Sequence, residues 1–178
     1  MVLLTFIYVI ATIVICAFNY LTIVEQRNIN QKQMRISSFL LRYEVYKQII
    51  DELHLWRFVS NNQVTEFSSM RDRNDVFLYL ATHNQNYFDL STKARLVFNE
   101  EIAKQVDIAW NIIRDEVYPP INDLVTKSQM NATPTSILVQ IKYAMQEDTL
   151  KGVKDRLTAL EASLSLLVET EIQISKNI

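Results

Sequence analysis

The chain opens with an apolar stretch that no charged residue interrupts. Residues 2–24 contain no Lys, Arg, Asp, Glu, Gly or Pro. As a helix rising about 1.5 Å per residue, this stretch would reach about 34 Å, slightly more than the roughly 30 Å hydrocarbon core of a bilayer. The pattern therefore predicts a transmembrane helix over residues 1–24, with the rest of the chain on one side of the membrane.

Helical spacing of apolar residues dominates the remainder of the sequence. Apolar positions recur every three or four residues along residues 36–59 and again along residues 94–117, which is typical of amphipathic helices. The apolar run at residues 76–81 has no second strand to pair with, so we assign it to a short helix over residues 75–82. The predicted fold is all-α, a single N-terminal transmembrane helix followed by a small antiparallel helical bundle.

Turn-forming residues suggest where the predicted helices begin and end. A turn follows Val59, after which residues 63–69 are expected to form a short helix. The run His-Asn-Gln-Asn at residues 83–86 predicts a loop. The next helix is expected to begin near Asp89 or Ser91 and to stop at the proline pair that starts at Pro119.

Prolines also place the later boundaries. Pro120 suits a first helical turn, so residues 121–129 are expected to form a short helix. Thr133 before Pro134 gives a second start signal of the same kind. The apolar phase slips near residues 148–152, which predicts a kink or short break before a last helix to about Ser175.

That last helix carries a heptad repeat of apolar residues, interrupted at Glu171 alone. Its positions are Leu150, Val153, Leu157, Leu160, Leu164, Leu167 and Ile174. Such a seam packs against another helix, either in a partner chain or within the same bundle. Leu166 and Val168 widen the apolar surface beyond a two-stranded seam, which favours packing within the chain.

Composition supports one soluble domain behind the membrane helix. Hydrophobic residues make up 49% of the 178 residues and charged residues 21%, with one Gly and three Pro. A chain so poor in turn and stop residues favours long helices. We divide it into a transmembrane helix (1–24), a juxtamembrane helical connector (25–35) and a soluble helical-bundle domain (36–178).

Basic residues follow the apolar stretch and none precedes it. Arg27, Lys32, Arg35 and Arg42 lie within about twenty residues of its end. This asymmetry predicts a single-pass protein whose N-terminus is outside and whose C-terminal domain is cytoplasmic. Arg27, Lys32 and Arg35 are candidates for contact with anionic lipid.

A secretory signal is the competing interpretation of the apolar stretch, but it would need a basic amino-terminal region that this chain lacks.

A polar stripe runs through the apolar stretch. Thr5, Thr12 and Asn19 are seven residues apart, and Tyr8 and Thr22 lie between them in register. Small and polar residues support helix association in lipid. The candidates for self-association are Thr5, Thr12, Cys16 and Asn19. The alternative, which we favour, is that the threonines bond their own backbone and Asn19 sits near the headgroups.

The sequence offers little that indicates chemistry. His54 is interpreted as a half-buried interface histidine, and His83 as a residue just past a helix end. The acidic residues Glu100, Glu101 and Asp107 are interpreted as a solvated helix surface. A single glycine excludes Gly-rich phosphate loops, and a net charge of −2 argues against nucleic acid. We expect no catalysis, no metal and no cofactor.

The leading functional hypothesis is a membrane-tethered helical interaction, scaffold or regulatory module. It would bind the lipid bilayer and a protein partner at the cytoplasmic face, and a homo-oligomer is also considered. The alternative is an extracytoplasmic four-helix sensory domain that binds a ligand. An enzyme whose site no motif reveals ranks third.

Overall fold

Helices account for all regular structure in the described part of the chain. The computed structural model describes residues 2–57, 69–128, 132–144 and 148–176, with side chains at 5–57, 69–128, 132–144 and 152–171. In chain order the elements are α1 (Val2–Trp56), α2 (Arg73–Val97), α3 (Glu100–Ile112), a π-helical turn (Ile113–Val117), α4 (Tyr118–Lys127), α5 (Pro134–Ala144) and α6 (Asp148–Lys176). The predicted all-α class is confirmed.

The chain divides into two compact units, Met1–Leu40 and Leu41–Ile178. The first unit consists of most of α1. Its most apolar 18-residue window has a mean hydropathy of 2.2, and none of that window is buried. By length and composition this helix is apolar enough to cross a membrane. The predicted connector at residues 25–35 is helical and belongs to the same uninterrupted helix.

The second unit is a helical bundle around one apolar core. The end of α1 contributes Ile49, Leu53 and Trp56, all at most 1% exposed. Each later helix adds buried side chains of its own, including Leu80 and Tyr87 from α2, Ile102 and Val106 from α3, Ile121 from α4, Ile137 and Ile141 from α5, and Leu157 and Leu164 from α6. Among the described side chains of α1, the first buried one is Val45, and Ile36, Leu40 and Tyr43 before it are exposed.

The helix boundary predicted at residues 83–86 is wrong. These residues lie within α2, which is continuous from Arg73 to Val97. Leu80 and Tyr87 on either side of the polar run are buried, so packing outweighs its low helix propensity. The predicted start near Asp89 or Ser91 is wrong for the same reason.

Side-chain caps fix the boundaries that the structure does have. Asp72 caps α2, and its carboxylate accepts hydrogen bonds from the backbone N–H groups of Asn74 and Asp75 at 2.7 and 3.1 Å. Asn99 caps α3 by accepting from the Ile102 N–H at 3.0 Å. These interactions satisfy amide groups that have no partner inside the helix. The continuous helix that we predicted over residues 94–117 is therefore wrong. α2 ends at Val97, and a new helix, α3, begins after Asn99.

The proline pair does not stop the chain's helical course. At the π-helical turn the backbone N–H of Tyr118 reaches back to the carbonyl of Ile113. α4 then begins at Tyr118, with the prolines in its first turn, where their missing N–H groups need no partner. The wider turn therefore lets α3 continue into α4.

Three boundary predictions concern the remaining segments. The short helix expected over residues 63–69 lies almost entirely outside the described residues. α5 begins at Pro134, as expected, and Thr133 accepts from the Ser136 N–H at 3.3 Å. α6 is helical from Asp148 through Gly152, and residues 145–147 are not among those described.

Candidate functional site

An open groove lies between α6 and the end of α3 with its π-helical turn. Its volume is about 580 Å³, within the range of known binding pockets. Its lining residues are Gln105, Ile108, Asn111, Ile112, Asp115, Glu116, Arg156, Ala159, Leu160 and Ser163. The groove is therefore built from one wall of α3 and the π-helical turn and one wall of α6, both in the second unit.

Small side chains on α6 leave the space that forms the groove. Ala159 and Ser163 lie four residues apart on one side of α6, and Leu160 is half-buried beside them. On the facing wall Ile112 is buried and Ile108 is 37% exposed. The floor is consequently apolar, a surface that aliphatic side chains of a ligand would cover favourably.

The π-helical turn places two ion pairs at the rim of the groove. The Arg114 guanidinium donates to both carboxylate oxygens of Asp115, with Nε and Nη2 each 2.6 Å from an oxygen. This hydrogen bonding lowers the pKa of Asp115 and raises the pKa of Arg114, so both groups remain charged. Glu116, the next residue, forms an ion pair with Arg156 of α6.

The charged side chains of the groove are engaged in ion pairs. Each of its two carboxylates is engaged by an arginine, so neither is presented as a general base. Among the described residues, no group of three or more His, Cys, Asp or Glu side chains is placed to hold a metal. No sequence pattern indicated this site, since its residues come from segments about forty to sixty positions apart.

The heptad positions of α6 face the chain's own core. Val153, Leu157 and Leu164 are at most 4% exposed, and Leu160 and Leu167 are half-buried against the same core. The side chains of Leu150 and Ile174 lie outside the described residues. The described members of the seam are therefore used within the chain.

Polar contacts join α1 and α6 in antiparallel order. Arg42 donates to Glu171 at 2.8 Å, and the Tyr46 hydroxyl donates to Ser165 Oγ at 2.9 Å. Farther along α1, His54 Nε2 lies 2.8 Å from Glu161 Oε1.

The other oxygen of the Glu161 carboxylate accepts from Arg57. The two side chains are 19% and 15% exposed, whereas the His54 side chain is 46% exposed. His54 is thus a half-exposed interface histidine, close to the interpretation of its sequence position.

His83 lies inside α2 and not past a helix end. Its Nδ1 is 2.9 Å from the Glu52 carboxylate of α1, and its ring centroid is 4.3 Å from that of Tyr79. Glu52 also accepts from Asn86 at 3.4 Å. The predicted position of His83 just past a helix end is therefore wrong, because its helix continues and its ring joins α2 to α1.

The acidic residues of α3 have local structural partners. Glu100 and Glu101 occupy the first turn of α3, where carboxylates favour the positive end of the helix dipole. Asp107 accepts from Arg95 of α2 at 3.0 Å. None of these three residues lines the groove.

Tyr87 is a buried polar side chain that the sequence did not single out. Its ring stacks on Trp110 at a centroid distance of 6.1 Å, and its hydroxyl has no hydrogen-bond partner among the described residues. Burial, followed by the charges of Glu52 and Asp107, raises the pKa of this phenol, so it stays protonated. Its ring belongs to the core, and it does not line the groove.

The candidates for self-association all lie exposed on α1. Thr5, Thr12, Cys16 and Asn19 occupy the apolar part of the helix. The Thr12 hydroxyl donates to the Tyr8 carbonyl at 2.8 Å, as a threonine in lipid commonly does. This bond agrees with the favoured alternative, in which the threonines bond their own backbone, and it does not test self-association.

The helical connector sets the heights of the basic residues above the apolar stretch. Counted from Val24 along a helix perpendicular to a bilayer, Arg27, Lys32 and Arg35 stand about 5, 12 and 16 Å higher. The headgroup layer is only about 5 to 7 Å thick. In such a placement Arg27 reaches the headgroup layer and Lys32 and Arg35 stand above it, and contact with anionic lipid stays a prediction for all three.

Comparisons of the chain with protein-family models, with curated proteins and with solved structures found no match.

Proposed function

We propose that the chain is a membrane-tethered helical interaction module that binds a protein partner at the cytoplasmic face through the groove between α3 and α6. The apolar groove is the observation that carries this proposal. The function is binding without catalysis. α1 holds the module at the membrane, and the basic residues after its apolar part orient it with the N-terminus outside.

Groove chemistry selects the kind of partner. Its apolar floor suits the apolar face of a short helix, which would contribute aliphatic side chains at positions i, i+3, i+4 and i+7. Asp115 and Glu116 at the rim are each paired with an arginine, so binding would depend mainly on the apolar contact. Leu166, 67% exposed and seven residues after Ala159, extends the apolar surface along α6.

Orientation can be tested by thiol labelling, because Cys16 is the only cysteine. In a Cys16→Ser background, a cysteine at exposed Tyr143 should resist a membrane-impermeant maleimide in intact cells. It should react fully once the membrane is permeabilised. A cysteine added before Val2 should show the opposite behaviour. Labelling of Tyr143→Cys in intact cells would reverse the orientation, and recovery of the chain in the soluble fraction would remove the membrane span.

Partner binding can be tested with a photocrosslinking amino acid in full-length protein in its own membranes. Placed at Ala159, it should give one discrete heterologous adduct, whereas the same side chain at Thr158 should give about tenfold less. Thr158 is the matched control because it is also exposed on α6 but points about 100° away from the groove. The crosslinked peptide should be an amphipathic helix.

A groove variant then separates specific docking from proximity. Ile108→Lys should reduce the Ala159 adduct about tenfold, because a charge on the apolar floor would oppose the partner's apolar face. Leu96→Lys, at an exposed leucine on α2 outside the groove, should leave the adduct unchanged. Equal adducts from positions 158 and 159, lipid adducts alone, or an adduct with a second copy would contradict the proposal.

A further inference from the structure

One stripe of positions runs along α1 from the apolar stretch into the connector without a break in register. The steps between successive positions alternate strictly between three and four residues, as in a coiled coil. We call these positions the α1 seam: Thr5, Tyr8, Thr12, Ile15, Asn19, Thr22, Gln26, Ile29, Gln33, Ile36 and Leu40. The whole α1 seam lies in the first compact unit, on a single continuous helix.

The two halves of the α1 seam carry different residues that suit helix association. Within the apolar stretch the polar members are Thr5, Thr12, Asn19 and Thr22, beside Tyr8 and Ile15. At residues 25–40, where most neighbours are polar or charged, Ile29, Ile36 and Leu40 occupy the seam together with Gln26 and Gln33. Polar side chains associate helices in lipid and apolar side chains associate them in water, so the first half has polar groups for association in lipid and the second half has aliphatic groups for association in water.

Asn19 needs a hydrogen-bond partner that α1 does not supply. On a helix centred in the bilayer it lies about 9 Å from the centre of the apolar stretch, inside the roughly 15 Å half-thickness of the hydrocarbon core and so below the headgroup level that we favoured for it from the sequence. Thr12 and Thr22 bond carbonyl oxygens of their own helix, but the Asn19 carboxamide has no partner within residues 5–57. An unsatisfied amide in hydrocarbon is costly, and a facing asparagine could both donate to it and accept from it.

The half of the α1 seam that follows the apolar stretch has exposed aliphatic side chains. Ile29, Ile36 and Leu40 are 47%, 60% and 57% exposed. The charged residues between positions 25 and 40 are Glu25, Arg27, Lys32 and Arg35, and none of them occupies a seam position. Charge is thus kept off this face, as at a helix interface.

We propose that the α1 seam joins α1 to the same helix of a second copy, forming a parallel coiled coil that begins in the membrane and continues through the connector. This inference rests on the membrane-span part of the proposed function. Copies inserted in one orientation are parallel, so a two-fold axis brings Asn19 opposite Asn19 and Ile36 opposite Ile36. The helices wind left-handedly, since a straight α-helix would drift about 20° per heptad from the seam.

Neither half of the α1 seam is sufficient alone. Residues 25–40 provide only about two heptads, whereas stable coiled coils usually need three or four. The polar contacts in lipid are individually weak. The continuous register combines the two, so both halves must contribute to one association.

Disulfide crosslinking in membranes tests this arrangement on the full chain. In a Cys16→Ser background, Ile29→Cys and Ile36→Cys should each form a disulfide-linked dimer efficiently under mild oxidation. Gln31→Cys and Ser38→Cys, exposed on the opposite side of α1, should form at least fivefold less. Equal crosslinking at all four positions, or none at the seam positions, would overturn the proposal.

A second variant tests the membrane half separately. In the Ile36→Cys background, Asn19→Ala should reduce crosslinking about three- to tenfold, the effect expected from one interhelical polar contact in lipid. Val24→Ala, on the opposite side of the apolar stretch, should leave it unchanged. An equal effect of both variants, or no effect of Asn19→Ala, would contradict the continuous seam.

Fractionation of the same samples keeps this test separate from the proposed function. Failure of the membrane span would release the chain from alkali-washed membranes. Failure of the α1 seam alone would leave the chain in the membrane and monomeric. The partner adduct at Ala159 should persist in either Asn19→Ala or Ile36→Glu, because the groove lies in the second unit.

Discussion

Leu157→Ala should lower the free energy of unfolding of the helical bundle by about 2 to 5 kcal/mol. Leu157 is fully buried in the middle of α6, and truncation removes its apolar contacts and leaves a cavity that the surrounding helices fill only in part. Thermal or denaturant unfolding of the full chain in detergent micelles, followed by circular dichroism and tryptophan fluorescence, would measure the loss.

The matched control for this prediction is Leu166→Ala on the same helix. Leu166 is exposed, so its truncation should change the free energy of unfolding by less than about 0.5 kcal/mol. Packing of Leu157 inside one chain further requires the loss to be independent of protein concentration. A loss that grows on dilution would show that α6 packs against another chain.

The spacing of apolar residues predicted helix packing correctly on α6, where those residues are buried. The spacing of Leu157 and Leu164 indicated an interior seam on α6, and both side chains are buried. The polar residue at Glu171 looked like a defect in that seam. The structure explains it, since Glu171 accepts from Arg42 of α1 and from Asn99 at the start of α3.

Local propensity failed where tertiary contacts decided the outcome. Residues 83–86 are poor helix formers, yet Glu52 on α1 holds His83 and Asn86 while Leu80 and Tyr87 are buried. The contribution of Glu52 could not be predicted without knowing that α1 lies beside α2. The π-helical turn was missed because the usual effect of a proline pair is to end a helix.

The candidate site could not be predicted from the sequence, for a related reason. Its apolar floor is formed by Ile108 of α3 and Leu160 of α6. Both are aliphatic residues like those that fill the core, so the residue type alone does not mark them as part of a groove. What distinguishes the groove is the small size of Ala159 and Ser163 across from α3. Small residues create space only when the facing helix is known.

Glu161→Gln should lower the free energy of unfolding by about 2 to 3 kcal/mol, the second largest effect expected. The Glu161 carboxylate accepts from Arg57 and from His54, so the amide would leave the mostly buried Arg57 guanidinium without its counter-charge. Loss of one partner of a fully buried pair costs about 3 to 5 kcal/mol, and partial exposure of this pair reduces that figure. The same unfolding measurement applies.

Asp123→Asn supplies the comparison, since it removes an exposed i,i+4 pair with Lys127 and should cost less than about 0.5 kcal/mol. Restoring neutrality on both sides, as in Glu161→Gln with Arg57→Met, should recover much of the loss, because the destabilisation arises from the unpaired cation and less from the missing hydrogen bond. Additive losses in the double variant would instead mean that the two side chains stabilise the α1 and α6 interface independently.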